Sequence, residues 1–279
     1  MNVSTSQRQT AGNNNKKGNR YEDFFAIERM IELAPVVLEG VPVTLAEQTG
    51  DPVDDLVVRE GGSVHYAQLK NDLEITWGAD GGKLRKEFVE QKRTSEERGE
   101  QFTLTAVVAY DLRKRSLDTH LPTELNGAVT IRWFPEPAKP SELARRRECR
   151  EPLRQVAASQ EAGENELIAL VEGFALAWIE RDYGKATDLS DIIGWLRGCP
   201  HFRLRRPLPV KLHSDWPTFL TIIQGIDGMA CFWDRGYFEW SFGIENGIPY
   251  TCDSDEFRRF ISLVVKQQPT TFEDFETLL

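Results

Sequence analysis

The order of predicted elements indicates an α/β sandwich followed by a mostly helical α+β region. Two observations carry this prediction. In the first 135 residues, short apolar and β-branched runs alternate with amphipathic stretches of helical period. After prolines at 135, 137 and 140, longer helical patterns dominate. Before the first of these elements lies a polar segment, residues 1–17, which is expected to be mobile.

In the first half of the chain, apolar spacing predicts a helix from Tyr21 to Leu38 that ends near Pro35. Strands are expected at 41–47, 56–58, 64–69, 102–110 and 128–134. The glycine pair Gly61-Gly62 marks a hairpin turn between the second and third of these strands. A Gly-rich loop at 78–82 precedes a charged helix at 83–98.

The second half is predicted to be mostly helical. Helices are expected at 141–158, 165–181, from a cap at Asp188 or Ser190 to Leu196, at 216–223 and at 254–265. An aromatic strand pair, 230–233 and 237–242, turns at Asp234-Arg235-Gly236. No residue pattern in this half indicates a function.

Composition and motif content narrow the functional class. The formal net charge of −10 argues against a protein that coats nucleic acid through its whole surface, although a local basic groove stays open. Neither an apolar run of membrane-spanning length nor a signal pattern occurs, so we expect a cytoplasmic protein without membrane contact. Cysteines without a C-x-x-C pair and histidines without metal-ligand spacing argue against zinc chemistry. The sequence also lacks the G-x-x-x-x-G-K-[ST] loop of an ATPase.

One hairpin concentrates the groups that phosphodiester hydrolysis requires. Asp55 directly precedes the apolar run at 56–58, and the return strand ends in Gln68-Leu69-Lys70. Side chains alternate along a strand, so Gln68 and Lys70 share a face, and the hairpin brings Asp55 to the same edge. Carboxylate and amide oxygens suit Mg²⁺, and a lysine can orient or deprotonate water and stabilise charge on phosphate.

Two assignments stay open at this point. Asp54 adjoins Asp55, and we prefer Asp55 as the ligand because it directly precedes the apolar run, whereas Asp54 suits a turn. An extra carboxylate could come from Glu22, on the first helix, or from Glu47, at the end of the first strand. Each of these residues could also be an ordinary turn or surface residue.

Taken in order, Gly18-Asn-Arg-Tyr-Glu22 at a helix start, Asp55-Leu-Val-Val at a strand start and Gln68-Leu-Lys70 at a strand end resemble the PD-(D/E)xK nucleases. The closest pattern is their Q-x-K branch, which includes Mrr-like restriction enzymes and double-stranded DNA nuclease domains of bacterial antiphage effectors, among them those of cyclic-nucleotide (CBASS) systems. Gln68 departs from the acidic residue of the parent motif.

The resemblance implies a restriction-endonuclease-like core, a mixed sheet flanked by helices, at residues 18–135, and leaves 141–279 as an interaction or regulatory region. It further implies an endonuclease dependent on Mg²⁺ or Mn²⁺ that cuts double-stranded DNA. Asp55, Gln68 and Glu22 would hold the metal, and Lys70 would act on the attacking water. Such domains serve in antiphage defence with a partner subunit or as homo-oligomers.

Basic residues of the charged helix are candidates for contact with the DNA backbone. They are Lys83, Arg85, Lys86, Lys92 and Arg93. The neutral Gln68 also admits a rival from another class, a nuclease-fold protein that no longer cuts and serves as an interaction or DNA-binding subunit.

Overall fold

A computed structural model of the chain describes residues 5–78, 82–159, 161–182, 184–199, 201–205, 212–247 and 250–279, with side chains from residue 20 onward except residue 246. Two compact units result: residues 1–155 with 163–202, and residues 156–162 with 203–279. The predicted α/β class is confirmed, since the first unit is built on a six-stranded mixed sheet flanked by helices. No helix among the described residues is long and apolar enough to cross a membrane.

The first unit follows the predicted order and adds one α-helix, one short strand and a 3₁₀ turn that the sequence did not predict. Its strands are β1 (Val43–Ala46), β2 (Leu56–Glu60), β3 (Ser63–Lys70), β4 (Gln101–Val108), β5 (Val129–Trp133) and β6 (Thr187–Asp188). The α-helices in this part of the chain are α1 (Thr5–Leu38), α2 (Lys83–Glu97), α3 (Asp111–Thr119), α4 (Arg147–Val156), α5 (Glu164–Ile179) and α6 (Leu189–Gly198). Short 3₁₀ helices lie at Thr123–Leu125 and Pro140–Arg145.

The sheet has the strand order β5-β4-β3-β2-β1-β6. Strands β3, β4 and β5 are parallel, whereas β2 is antiparallel to β3 and β1, and β1 is antiparallel to β6. The sequence did not predict β6, because a two-residue strand has no alternating pattern to detect. It pairs Thr187 and Asp188 with Leu45 and Thr44, so a segment far along the chain completes this side of the sheet.

The β2–β3 hairpin forms where the glycine pair predicted it. Gly61 has a φ of 56°, a backbone conformation that residues with a Cβ rarely adopt. Its amide also donates to the Pro42 carbonyl at 3.0 Å, which ties the turn to the chain before β1. The resulting register pairs Leu56 with Ala67 and therefore brings Asp55 next to Gln68.

Helix α2 covers one face of the sheet and buries Leu84 and Phe88 against it. The Phe88 ring meets Trp77 edge-to-face with centroids 5.5 Å apart, and the Trp77 indole donates to the Leu117 carbonyl of α3 at 2.9 Å. Tyr66 of β3 belongs to the same core. Because side chains alternate along a strand, Gln68 and Lys70 extend this α2-facing row toward the end of β3.

Several boundaries differ from the sequence-based expectations. Helix α1 begins at Thr5 rather than Tyr21, and Pro35 does not end it, since its carbonyl still accepts from the Glu39 amide. Helix α3 was missed because Leu117 is its one described buried residue, too little for a helical pattern. Residues 1–4 and the side chains of 5–19 lie outside the described part, so the mobility of residues 1–17 stays a prediction.

The compact division of the chain does not fall between residues 135 and 141. Helices α5 and α6 belong to the first unit, where both pack against α1. The segment 18–135 is therefore one part of a larger compact unit. Its assignment as a nuclease domain, and that of 141–279 as a regulatory region, stay predictions.

The second unit contains a small sheet and three helices within its described residues. Its elements are α7 (Trp216–Gln224), β7 (Met229–Asp234), β8 (Tyr237–Phe242), β9 (Glu245–Asn246), β10 (Tyr250–Thr251), α8 (Asp255–Gln267) and α9 (Phe272–Glu276). The predicted β7–β8 hairpin is confirmed, and positive φ angles at Arg235 and Gly236 form its turn. The core is aromatic, with Phe219, Phe238 and Phe257 fully buried.

Candidate active site

The end of the β2–β3 hairpin brings together three of the predicted site residues. Asp55 stands directly before β2, opposite Gln68, and Lys70 is the last residue of β3. The Lys70 Nζ atom lies 3.8 Å from Asp55 Oδ2. The Gln68 amide nitrogen donates to the same carboxylate oxygen. A carboxylate, an amide and an ammonium group thus converge at one edge of the sheet.

Residues of the neighbouring strand β3 hold the Asp55 carboxylate in place. The backbone amide of Leu69 donates to Asp55 Oδ2 at 2.7 Å. Burial raises the pKa of Asp55 above the ordinary value, while Lys70 and the Leu69 amide act in the opposite direction. Asp54 has the turn role expected of it, because its side chain accepts from the Gly50 amide and its carbonyl from the Gln48 amide.

Glu22 reaches the same electrostatic environment from α1. The pKa of Glu22 is raised to about 7, mainly by burial and also by the neighbouring carboxylates of Asp55 and Glu47, while Lys70 acts in the opposite direction. Within the described part of the chain, the Glu22 carboxylate accepts no hydrogen bond and forms no ion pair. Glu22 therefore interacts electrostatically with Asp55 and Lys70, but among the described residues it forms no hydrogen bond or ion pair with either.

Sequence reasoning missed two residues at the end of α5 that hold other carboxylates near this site. Arg181 forms an ion pair with Glu47, and the Trp178 indole donates to Asp23 at 3.0 Å. The signal available in the sequence was a tryptophan and an arginine three positions apart at the end of an apolar helix. Nothing in that pattern identifies Glu47 and Asp23 as the groups they contact.

Helix α2 adds a further acidic group. Glu87 raises the pKa of Asp55, and its Oε2 atom is buried without a hydrogen-bond partner among the described residues. Its other carboxylate oxygen lies 3.5 Å from Lys83 Nζ. A buried carboxylate oxygen that lacks a partner, next to another carboxylate, is an environment that a bound cation would stabilise.

These groups could bind a hard divalent cation only if the protein supplies few of its ligands and water supplies the others. Among the described residues, no group of three or more histidine, cysteine, aspartate or glutamate side chains is arranged to hold a metal ion. Mg²⁺ commonly takes one or two protein carboxylates and completes its shell with water. Asp55 and Glu22 supply two carboxylates, and Gln68, whose amide nitrogen faces Asp55, would offer its neutral amide oxygen to an ion once the amide is reversed.

The basic residues proposed to contact DNA are largely engaged with acidic neighbours. Arg85 pairs with Glu124, Lys92 donates to the Glu124 carbonyl, and Arg93 pairs with Glu97. Lys86 is exposed, and Lys83 is 89% exposed on the same helical edge as Glu87. Lys83 thus pairs with Glu87, a residue that influences Asp55.

The first unit also contains a cavity that is separate from these residues. It encloses about 740 Å³ and is lined by Phe25, His65, Thr103 and Arg132, among others. Neither Asp55 nor Lys70 lines it. We assign the candidate site to the hairpin edge rather than to this cavity, because the converging titratable groups are there and cavity size alone identifies no chemistry.

Comparisons of the chain with protein-family models, with curated proteins and with solved structures return no match.

Proposed function

We propose that the protein is a metal-dependent nuclease with a restriction-endonuclease-like core. The observation that supports this most strongly is the convergence of Asp55, Gln68 and Lys70 at one edge of the hairpin, with Lys70 Nζ 3.8 Å from Asp55 Oδ2. This ordered set is also the one that resembles the Q-x-K nucleases. Double-stranded DNA as the substrate, a role in antiphage defence and a partner subunit or homo-oligomer follow from that resemblance.

Each residue has a defined role in this proposal. Asp55 and Glu22 would hold Mg²⁺ or Mn²⁺ together with the Gln68 amide oxygen. Such an ion, when bound, polarises a phosphate oxygen and makes bound water more acidic. Lys70 Nζ stands beside Asp55, where it can orient water and stabilise negative charge that develops on the phosphate.

A second function deserves comparison because of how Gln68 is arranged. Its amide nitrogen, not its oxygen, contacts Asp55, so three protein groups, the Gln68 amide, the Leu69 backbone amide and Lys70, compensate the carboxylate. That arrangement favours the rival, a nuclease-fold interaction or DNA-binding subunit without catalysis. Binding of Mn²⁺ separates the two, since a scaffold compensated in this way has no need of the ion.

The test is cleavage of supercoiled plasmid with Mg²⁺ or Mn²⁺, with EDTA as the metal control. We expect Lys70→Met to lower the cleavage rate by about 10² to 10⁴, the usual contribution of a positioned proton-transfer group. The matched control is Lys114→Met, which removes a partly exposed lysine that pairs with Asp118 on α3. It should cut at the wild-type rate.

Asp55→Asn should abolish both Mn²⁺ binding and cleavage, because it removes the carboxylate at the centre of the site. Linear double-stranded, single-stranded and RNA substrates in the same assay define the substrate class. A wild-type protein that binds no Mn²⁺ and cuts none of them, alone or with a copurified partner, would refute the nuclease and leave the interaction subunit.

A further inference from the structure

Three carboxylates near the candidate site differ in their contacts with residues at the end of α5. They are Glu22 and Asp23 on α1 and Glu47 directly after β1. Each shares electrostatic interactions with members of this group or with Asp55. The sequence alone left Glu22 and Glu47 as equal candidates for the extra ligand, so the contacts of each group are informative.

Arg181 is the cation that engages Glu47. Its side chain is only 6% exposed, and its guanidinium donates both to Glu47 Oε2 and to the Trp178 carbonyl. The guanidinium carbon also lies 3.5 Å from the centroid of the Trp178 ring. A buried, stacked and doubly hydrogen-bonded guanidinium is held in one orientation, so the carboxylate it binds is held as well.

Trp178 engages the neighbour of Glu22. Its indole nitrogen donates to Asp23 Oδ1 at 3.0 Å, and the tryptophan itself is fully buried. Trp178 in the last turn of α5 and Arg181 just after it therefore fix two of the three carboxylates. Glu22, in contrast, has neither a hydrogen bond nor an ion pair within the described residues.

We propose that Arg181 is a positioning residue that holds Glu47 away from the ion site, so that Glu22 acts as the second carboxylate ligand beside Asp55. This rests on the proposed function and names the ligand that the sequence left open. It also assigns a role in the site to the end of α5, in the part of the chain expected to be regulatory. Lysine would keep the charge, but it could not reproduce the stacked, two-acceptor geometry.

The experiment measures Mn²⁺ affinity of the full chain by electron paramagnetic resonance. Removal of a ligand carboxylate weakens such sites strongly, so we expect Glu22→Gln to weaken binding at least about tenfold and Glu47→Gln by less than about twofold. In the Glu22→Gln/Arg181→Met double variant Glu47 is released, and affinity should recover by at least about threefold. Adding Glu47→Gln to that double variant should remove the recovery.

The proposal is overturned if Glu47→Gln weakens Mn²⁺ binding as much as Glu22→Gln does, a comparison that leaves Arg181 intact. It is also overturned if releasing Glu47 brings no recovery. As a control, Glu22→Gln/Arg181→Lys should recover less than the methionine version, because the ammonium still binds Glu47. A purely structural role for Arg181 predicts no recovery in any variant.

A measurement without metal keeps this inference separate from the nuclease proposal. If Arg181 holds Glu47, the effects of Arg181→Met and Glu47→Gln on the urea-denaturation midpoint are not additive. Additive effects overturn the positioning role whether or not the protein binds Mn²⁺. If the effects of the two substitutions are not additive but the wild-type protein binds no Mn²⁺, the Arg181–Glu47 contact is supported and the proposed function is refuted.

Discussion

Replacement of Glu22 by glutamine should stabilise the metal-free protein, and the gain should grow as the pH rises from 4.5 through 7. The folded environment raises the pKa of Glu22 from 4.5 to about 7. The folded state therefore binds this proton more tightly than the unfolded state does. The stability that the protonated group contributes is complete below pH 4.5 and is lost as the pH rises through 7.

The difference between those two pKa values sets the magnitude. At about 1.36 kcal/mol per pH unit, the ionised carboxylate costs at most roughly 3 kcal/mol of stability above pH 7. The Glu22 side chain is partly exposed, and solvent screening reduces this to about 1 to 2 kcal/mol. Glutamine removes the charge and keeps the shape. The gain in unfolding free energy should thus be about 1 to 2 kcal/mol at pH 8 and well under 1 kcal/mol at pH 5.

Urea denaturation followed by tryptophan fluorescence, in EDTA at pH 5 and pH 8, measures both values. Glu39→Gln is the matched control, because Glu39 is an exposed glutamate just after α1. It should change stability by less than about 0.5 kcal/mol at either pH. An equal gain for Glu22→Gln at both pH values, or a loss at pH 8, would refute the account of Glu22 as a buried carboxylate under like-charge repulsion.

Three further outcomes are expected. Phe88→Ala should lower the unfolding free energy by about 3 to 5 kcal/mol, since the ring is fully buried against Trp77; a loss below about 1 kcal/mol in urea denaturation would contradict the packing of α2. Arg132→Met should cost about 3 kcal/mol, because it removes an ion-pair partner of the buried Glu28; full stability at pH 8 would argue against this pair. Lys83→Ala should weaken binding to duplex DNA in low-salt fluorescence anisotropy, because Lys83 is 89% exposed and its partner Glu87 influences Asp55, whereas Arg93→Ala, which removes a residue paired with Glu97 in the second half of α2, should not. Equal losses would remove Lys83 from the interface.

The local parts of the candidate site could be predicted from the sequence because strand geometry determines them. Alternation along β3 places Gln68 and Lys70 on one face, and the glycine turn sets the register that brings Asp55 beside them. Those relations span few residues and need no knowledge of the tertiary fold. The same holds for the turn role of Asp54, which depends on backbone atoms four and six residues before it.

The remainder depends on contacts between distant segments, and no local pattern encodes them. Trp178 meets Asp23 because α5 packs against α1, and Arg181 meets Glu47 across 134 residues of chain. Helix α3 was not predicted because a single buried leucine, Leu117, gives no repeating apolar pattern. The contacts of Arg85 and Lys92 with Glu124 could not be predicted either, since Glu124 lies on a separate 3₁₀ helix.

Strand β6 imposes an order of events on the nascent chain. The β2–β3 hairpin can form as soon as its residues leave the ribosome, whereas the outer edge of β1 waits for residues 187–188. At roughly 10 residues per second of synthesis, that delay is on the order of ten seconds. During it the backbone N–H and C=O groups of β1 lack their strand partner, and the arginine that holds Glu47 has not yet been made. Newly made chains therefore acquire the hairpin edge first and the fully ordered carboxylates last.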